Sequence, residues 1–419
     1  MAEDTGGRYA RRVPAWDQRL SRRGFLGTAA AAAAGAGPFA SVARAALEGP
    51  AALPSPARSG IDHVVVVMME NRSFDHFLGW LPGADGKQAG LTYLDAAGAP
   101  HSTHPLAPDF QGCAFADPDH SYDGSRVAWN NGACDGWLRA GSNDIFSIGY
   151  YGRHDLAFLG QAATRFTACD RYFAPILGPT FPNRLYALTG VTDRLENAFT
   201  RVELPTIFDR LAAEKLRAGY YCGNTNFLLL WNQIYNPITH THARFFADCK
   251  RGTLPEFSFV DPNYTFDDTG PQSGVGADDH PHADIRAGEY FLATIYNAVT
   301  RSPAWKSTLL VITFDEWGGF FDHVPPPAAP DVDPRFQQRG FRVPCLLISP
   351  FARRSSVAHG VYDHTSILKL VEWRWGLEPL SVRDAQANNL ATALDFSHRL
   401  LSAPKITAPR IVAGAPCPA

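Results

Sequence analysis

Ile61-Asp62-His63-Val64-Val65-Val66-Val67-Met68-Met69, running straight into Glu70-Asn71, decides how this chain folds. A short, β-branched apolar run without polar alternation reads as a strand buried on both faces, the kind found inside parallel sheets. Thr308-Leu309-Leu310-Val311-Ile312-Thr313-Phe314 repeats the pattern and runs into Asp315-Glu316. Phe257–Val260 and Val343–Ser349 are further runs of this kind. Amphipathic helical segments alternate with them: Asp155–Thr167, a stretch from Thr206 through Leu216, Asp284–Arg301, and Thr365–Trp375, the last stopped by Gly376. Strands alternating with helices predict an α/β fold, an α/β/α sandwich around a mostly parallel central sheet. The Gly-, Pro- and Asn-rich stretch 79–150 reads as excursions from that sheet.

Open parallel sheets bind ligands at the carboxyl ends of their strands. Two of the strongest strands end in oxygen donors, Glu70 and Asn71 on one, Asp315 and Glu316 on the other. Three carboxylates and an amide at neighbouring sheet edges repel one another unless a cation sits among them. Each pair alone reads sooner as a solvated loop or a helix cap; the two together favour a metal.

The chain has 419 residues, 45% hydrophobic and 19% charged, with a formal net charge of −3. That excludes fibrous and disordered classes and suits one elaborated domain. Seven Arg among residues 1–45 face only Glu3, Asp4 and Asp17, so the acid excess belongs to the rest. An acidic body argues against a nucleic-acid partner. Ser21-Arg22-Arg23-Gly24-Phe25-Leu26, an Ala-rich uncharged run and Ala43-Arg44-Ala45 have the shape of a twin-arginine export signal with a cleavage site. The run's Ala content, broken by Gly35, Gly37 and Pro38, makes it a weak candidate for a stable membrane span. The expected organisation is a signal over 1–45, a linker over 46–60, a domain over 61–400 and a tail over 401–419. Export through the twin-arginine machinery implies a periplasmic, cell-wall-associated or secreted destination. The seven cysteines leave at least one unpaired; Cys113–Cys134 and Cys222–Cys249 are the pairs nearest in sequence, and buried free thiols are the alternative.

Six stretches in chain order carry a resemblance: Glu70-Asn71-Arg72-Ser73-Phe74-Asp75-His76-Phe77, Asp117-Pro118-Asp119-His120-Ser121, Gly178-Pro179-Thr180-Phe181-Pro182-Asn183-Arg184, Asp278-Asp279-His280-Pro281, Asp315-Glu316-Trp317-Gly318-Gly319-Phe320-Phe321-Asp322-His323-Val324, and the closing segment from Arg383 to Phe396. Together they resemble the bacterial phosphoesterase family of phosphatidylcholine-type phospholipases C and related acid phosphatases, whose fold is like that of alkaline phosphatase. The resemblance implies that Glu70, Asn71, Asp315 and Glu316 hold one divalent metal ion, and that Thr180 touches it and is the nucleophile. It implies that His120, His280 and His323 bind phosphoryl oxygens or protonate the leaving alcohol, and that Asn183 and Arg184 bind the phosphate. An unperturbed threonine hydroxyl is a weak nucleophile that metal coordination activates; taken alone, Thr180 reads as a turn hydroxyl. Arg184 reads equally as a partner for a carboxylate. Oxygen donors suit Ca²⁺, whereas nearby histidines leave Zn²⁺ or Mn²⁺ open.

Threonine at the nucleophile position resembles the phospholipase branch, so the expected substrate is a phosphatidylcholine-like phospholipid. A small phosphoester, turned over by a broad acid phosphatase, is the alternative, and a non-catalytic exported binding protein is a second. Trp129, Trp137, Tyr150, Tyr151 and Trp231 either contact a membrane interface or a choline head group, or are ordinary packing. No G-x-S-x-G elbow, H-E-x-x-H helix or P-loop occurs.

Overall fold

The computed structural model describes residues 53–267, 270–271, 276–410 and 417. The expected signal and the first part of the linker lie outside the described residues. Residues Ala52–Ala419 form one compact unit.

Eight strands build the central sheet: β1 (His63–Met69), β2 (Thr167–Cys169), β3 (Ala218–Cys222), β4 (Thr239–Thr241), β5 (Phe257–Val260), β6 (Thr308–Phe314), β7 (Cys345–Ile348) and β8 (Ser356–Ala358). Their spatial order is β8-β2-β7-β6-β1-β5-β3-β4. All neighbours run parallel except β7, which is antiparallel to both β6 and β2. The two strands singled out by sequence are adjacent and central. Val64–Met69 of β1 and all of β6 are buried, which is why neither alternates with polar residues.

The main helices are α1 (Tyr122–Trp129), α2 (Thr180–Thr189), α3 (Ile207–Ala213), α4 (His242–Arg251), α5 (Ile285–Thr300) and α6 (His364–Trp375). Helix α2 packs against α6 and α3, whereas α4 packs against α5, giving the expected α/β/α sandwich. Asp284 caps α5 and Asp363 caps α6 through a reciprocal box with Ser366, while Gly376 closes α6 in the left-handed conformation. The helix expected over Asp155–Thr167 shrinks to Leu159–Ala162, because Thr167 already belongs to β2. The 79–150 excursion folds into α1 and two small two-stranded sheets. Among the described residues, no helix is long and apolar enough to cross a membrane.

Residues 401–410, expected as a tail, are stitched to the body. Trp305 Nε1 donates to the Leu401 carbonyl at 2.7 Å, Gln161 Nε2 to that of Thr407 at 3.1 Å, and Ile406 is buried. Cys417 closes the link through a disulfide to Cys113, 304 residues away. Neither sequence-adjacent cysteine pair forms; Cys134, Cys169, Cys222, Cys249 and Cys345 are buried thiols.

Candidate active site

Register assembles the site. Met69 pairs with Phe314 across β1 and β6, so Glu70-Asn71 and Asp315-Glu316 leave the sheet side by side. Asn71 takes the left-handed conformation (φ 60°) that asparagine tolerates, and its N–H donates to Asp315 Oδ1 at 3.2 Å. Gly318 passes so close that a Cβ there would lie 2.1 Å from the Asn71 carbonyl oxygen; only glycine fits. Beneath them the rest of the first motif is scaffold. Arg72 is buried, donates to the Asp279 carbonyl at 2.7 Å and to His76 Nε2 at 3.0 Å, and stacks on Phe320. Burial and the Arg72 charge push the His76 pKa down, so its ring is neutral and donates Nδ1–H to Gly149.

A cavity of about 670 Å³ opens at these strand ends. Glu70, Asp117, His120, Thr180, Arg184 and His280 line it, together with an apolar wall that includes Phe181, Phe199, Phe227, Leu229 and Leu230. Thr180 is the first residue of the ten-residue α2, whose dipole favours an anion; the Phe181 N–H is taken by Asn197 Oδ1 at 2.8 Å, and Pro182 has none. His120 donates Nδ1–H to Pro118 O at 2.7 Å, and Asn71 Nδ2 lies 3.2 Å from its Nε2. His280 Nδ1–H bonds the Pro281 carbonyl, and its Nε2 lies 3.9 Å from Asp117 Oδ2. The two rings meet edge-on at 6.0 Å. Tethering one ring nitrogen to a carbonyl fixes the tautomer and the ring's orientation.

Arg184 and Asn183 differ from expectation. Arg184, one turn after Thr180, is spent on carboxylates: Nη1 to Asp261 at 2.7 Å, Nη2 to Glu70 at 3.1 Å and Nε to Asp315 at 3.3 Å. It is a counter-ion to the strand ends rather than a fork held out for phosphate. Asn183 is fully buried; its amide donates to Gly178 O at 2.7 Å and Pro179 O at 3.0 Å, and its oxygen accepts from Ile176 N–H at 3.0 Å. It clamps the loop that delivers Thr180 and has no group left for a phosphate. His323 is not among the residues lining the cavity; it bonds Asp75 and Asp85 in a separate cluster.

The residues present fit a cation. The Arg184 guanidinium meets three buried carboxylates, those of Glu70, Asp261 and Asp315, and the buried Glu316 lies with its Oε1 4.0 Å from His120 Nε2. Asn71 Oδ1 and Glu316 Oε1 are buried with no hydrogen-bond partner, a costly state that a metal relieves. Burial, reinforced by Asp315, pushes the Glu70 carboxyl well up; burial also raises Glu316 to about 8 despite His120. Burial depresses His120, but Glu316 and Asp117 outweigh it and lift it to about 9. The tightest mixed donor group on the cavity wall is Asp117, His120 and His280, whose ligand atoms lie within 4.8 Å of one another. Glu70, Asp315 and Glu316 close less tightly because Arg184 lies between Glu70 and Asp315. Asp117 and Asp261 are the site residues that sequence reasoning missed. Asp261 follows β5 just as Glu70 follows β1, and that shared pattern was the available signal.

The family model for the phosphoesterase family matches residues 61–378. Phospholipase C B of Mycobacterium tuberculosis is 30% identical over 460 residues, covering 90% of this chain and 86% of that protein. Non-specific phospholipase C1 of Arabidopsis thaliana is 31% identical over 381 residues, covering 80% and 71%. Among solved structures, a protein of the alkaline phosphatase superfamily from Vibrio parahaemolyticus aligns with a TM-score of 0.39 and 12% identity, over 78% of this chain and 69% of that one. With the family model spanning most of its length and a relative at this identity along nearly all of it, the chain belongs to the phosphoesterase family.

Proposed function

We propose that this protein is an exported, metal-dependent phospholipase C that cleaves phosphatidylcholine-like lipids through a phospho-threonine at Thr180. The observation that carries the reading is a cavity lined both by Thr180, Glu70, His120 and His280 and by Phe181, Phe199 and Phe227. Such a cavity suits a phosphoester whose alcohol is large and apolar better than a small monoester. Relatives named as phospholipases C agree with it.

In this reading the Thr180 hydroxyl gives its proton to one of the two cavity histidines as Oγ1 attacks phosphorus, and the bond from phosphorus to the glycerol oxygen breaks. His120 or His280 gives its Nε2 proton to the departing oxygen. Water then attacks phosphorus, the bond to Thr180 breaks, the threonine regains its proton and the phosphorylated head group leaves. Glu70, Asn71, Asp315, Glu316 and Thr180 would hold the divalent cation, which when bound lowers the hydroxyl's pKa and offsets phosphoryl charge. The start of α2 adds its dipole to the same end.

Turnover of p-nitrophenylphosphorylcholine against p-nitrophenyl phosphate tests the substrate. The diester should dominate, vanish on chelation and return with Ca²⁺, Zn²⁺ or Mn²⁺. Predominant monoester turnover makes the protein an acid phosphatase, and none on either makes it a binding protein. Export rests on Arg22-Arg23 and Ala43-Arg44-Ala45; lysine at both Arg22 and Arg23 should leave the chain unprocessed in the cytoplasm, as read by cell fractionation.

A further inference from the structure

The apolar wall of the cavity does not stop inside the molecule. Phe181, the neighbour of Thr180, meets Phe199 and Phe227 edge-to-face at 5.1 and 5.2 Å. Phe199 and Leu229 carry the wall out to solvent, 69% and 52% exposed, and Ile234, five residues on, is 61% exposed. The two segments that carry this lip are tied together: Val202 N–H donates to Leu230 O at 2.8 Å and Trp231 Nε1 to Leu204 O at 2.8 Å. Residues 218–243, which include Leu229 and Ile234, contain no Asp, Glu, Lys or Arg, although charged residues make up 19% of the chain. Large apolar side chains held in water beside a reactive cavity mark an interaction surface. The 218–243 side of the lip brings no formal charge to a lipid interface, and the Phe199 side carries the exposed Glu196, Arg201 and Glu203, the last two paired at 3.8 Å.

We infer that this lip is a docking surface for a lipid aggregate. Phe199 and Leu229 enter the interface of a bilayer or micelle of zwitterionic or neutral lipid, with Ile234 alongside. The lipid's apolar alcohol then lies along Phe199, Phe227 and Leu230 while its phosphoryl group reaches Thr180. The inference rests on the phospholipase reading and adds to it the surface by which the enzyme meets its substrate.

Sedimentation with phosphatidylcholine vesicles tests docking apart from catalysis, using Thr180→Ala protein so that the vesicles stay intact. Phe199→Ser with Leu229→Ser should lower the bound fraction at least tenfold, and 0.5 M salt should leave binding of the parent unchanged. Leu229→Trp should keep binding and shift its emission to the blue on vesicles, which guards against a misfolded serine variant. In the active enzyme, the serine pair should lower the ratio of vesicle to p-nitrophenylphosphorylcholine turnover about tenfold. Equal vesicle binding by the serine pair, a loss of binding in salt, or an unshifted Leu229→Trp emission overturns the docking surface. An enzyme that binds vesicles through the lip yet hydrolyses no phosphatidylcholine leaves docking intact and defeats the phospholipase reading instead.

Discussion

Two clusters of buried carboxylates grow from the same two stretches of sequence, and they end in opposite states. Glu70 and Asn71 meet Asp315 and Glu316 at the cavity; a few residues further along each stretch, Asp75 meets Asp322 and His323. Both clusters enclose a buried arginine. In the second, Arg342 bonds Asp322 at 2.9 Å and Asp75 at 3.0 Å, His323 bonds Asp75, and backbone N–H groups of Asp75, Lys87, His323 and Val324 take up the remaining oxygen capacity. Every carboxylate oxygen of Asp75 and Asp322 has a partner there. In the first, Asn71 Oδ1 and Glu316 Oε1 have no hydrogen-bond partner, His120 Nε2 standing 4.0 Å from the latter, and the cluster borders a cavity. A saturated cluster is scaffold, whereas one with unsatisfied oxygens beside a cavity is built to receive something.

Thr180→Ala breaks the comparison at its functional side and carries the largest expected effect. Phosphodiester turnover should fall by ~10³-fold or more, in line with loss of a nucleophile, with the melting temperature nearly unchanged. Arg342→Met breaks the structural side: removing the cation between two buried aspartates should cost about 3–5 kcal/mol in urea unfolding. The histidines sharpen the contrast. His280→Ala should lower kcat by ~10²-fold, the usual scale for a lost proton donor, while His323→Ala should alter stability more than kcat.

Glu289 supplies the smallest test, a buried carboxylate with an orphaned oxygen but no cavity. It is not among the cavity-lining residues; Oε2 accepts from the N–H groups of Phe158 and Leu159, and Oε1 has no partner. Burial raises its pKa from 4.5 to about 8. Between those values the folded state holds a proton that the unfolded state releases, so stability falls as pH rises through that window. Glu289→Gln has no proton to lose, so its stability relative to the parent should rise between pH 5 and pH 8. Chemical denaturation at the two pH values measures it; an equal difference at both would show that the carboxyl does not titrate with folding.

The strand ends were legible because a strand buried on both faces announces itself, and a carboxylate directly after it stands out. Asp261 follows the same rule after Val260, on a strand of four residues where β1 and β6 have seven. Asn183, Arg184 and His323 carry side chains suited to phosphate, and sequence could not tell that buried carbonyls and carboxylates already claim them. The disulfide was hidden for a related reason: spacing along a chain says little about two cysteines 304 residues apart.

Local pattern therefore determined the fold class, the two acidic strand ends and the motif bearing Thr180, since hydrophobic period and residue type act over a few neighbours. Tertiary packing alone decided which polar groups remain unspent, because hydrogen bonds and ion pairs saturate. A side chain is available for chemistry only after its distant neighbours have taken, or failed to take, what it offers.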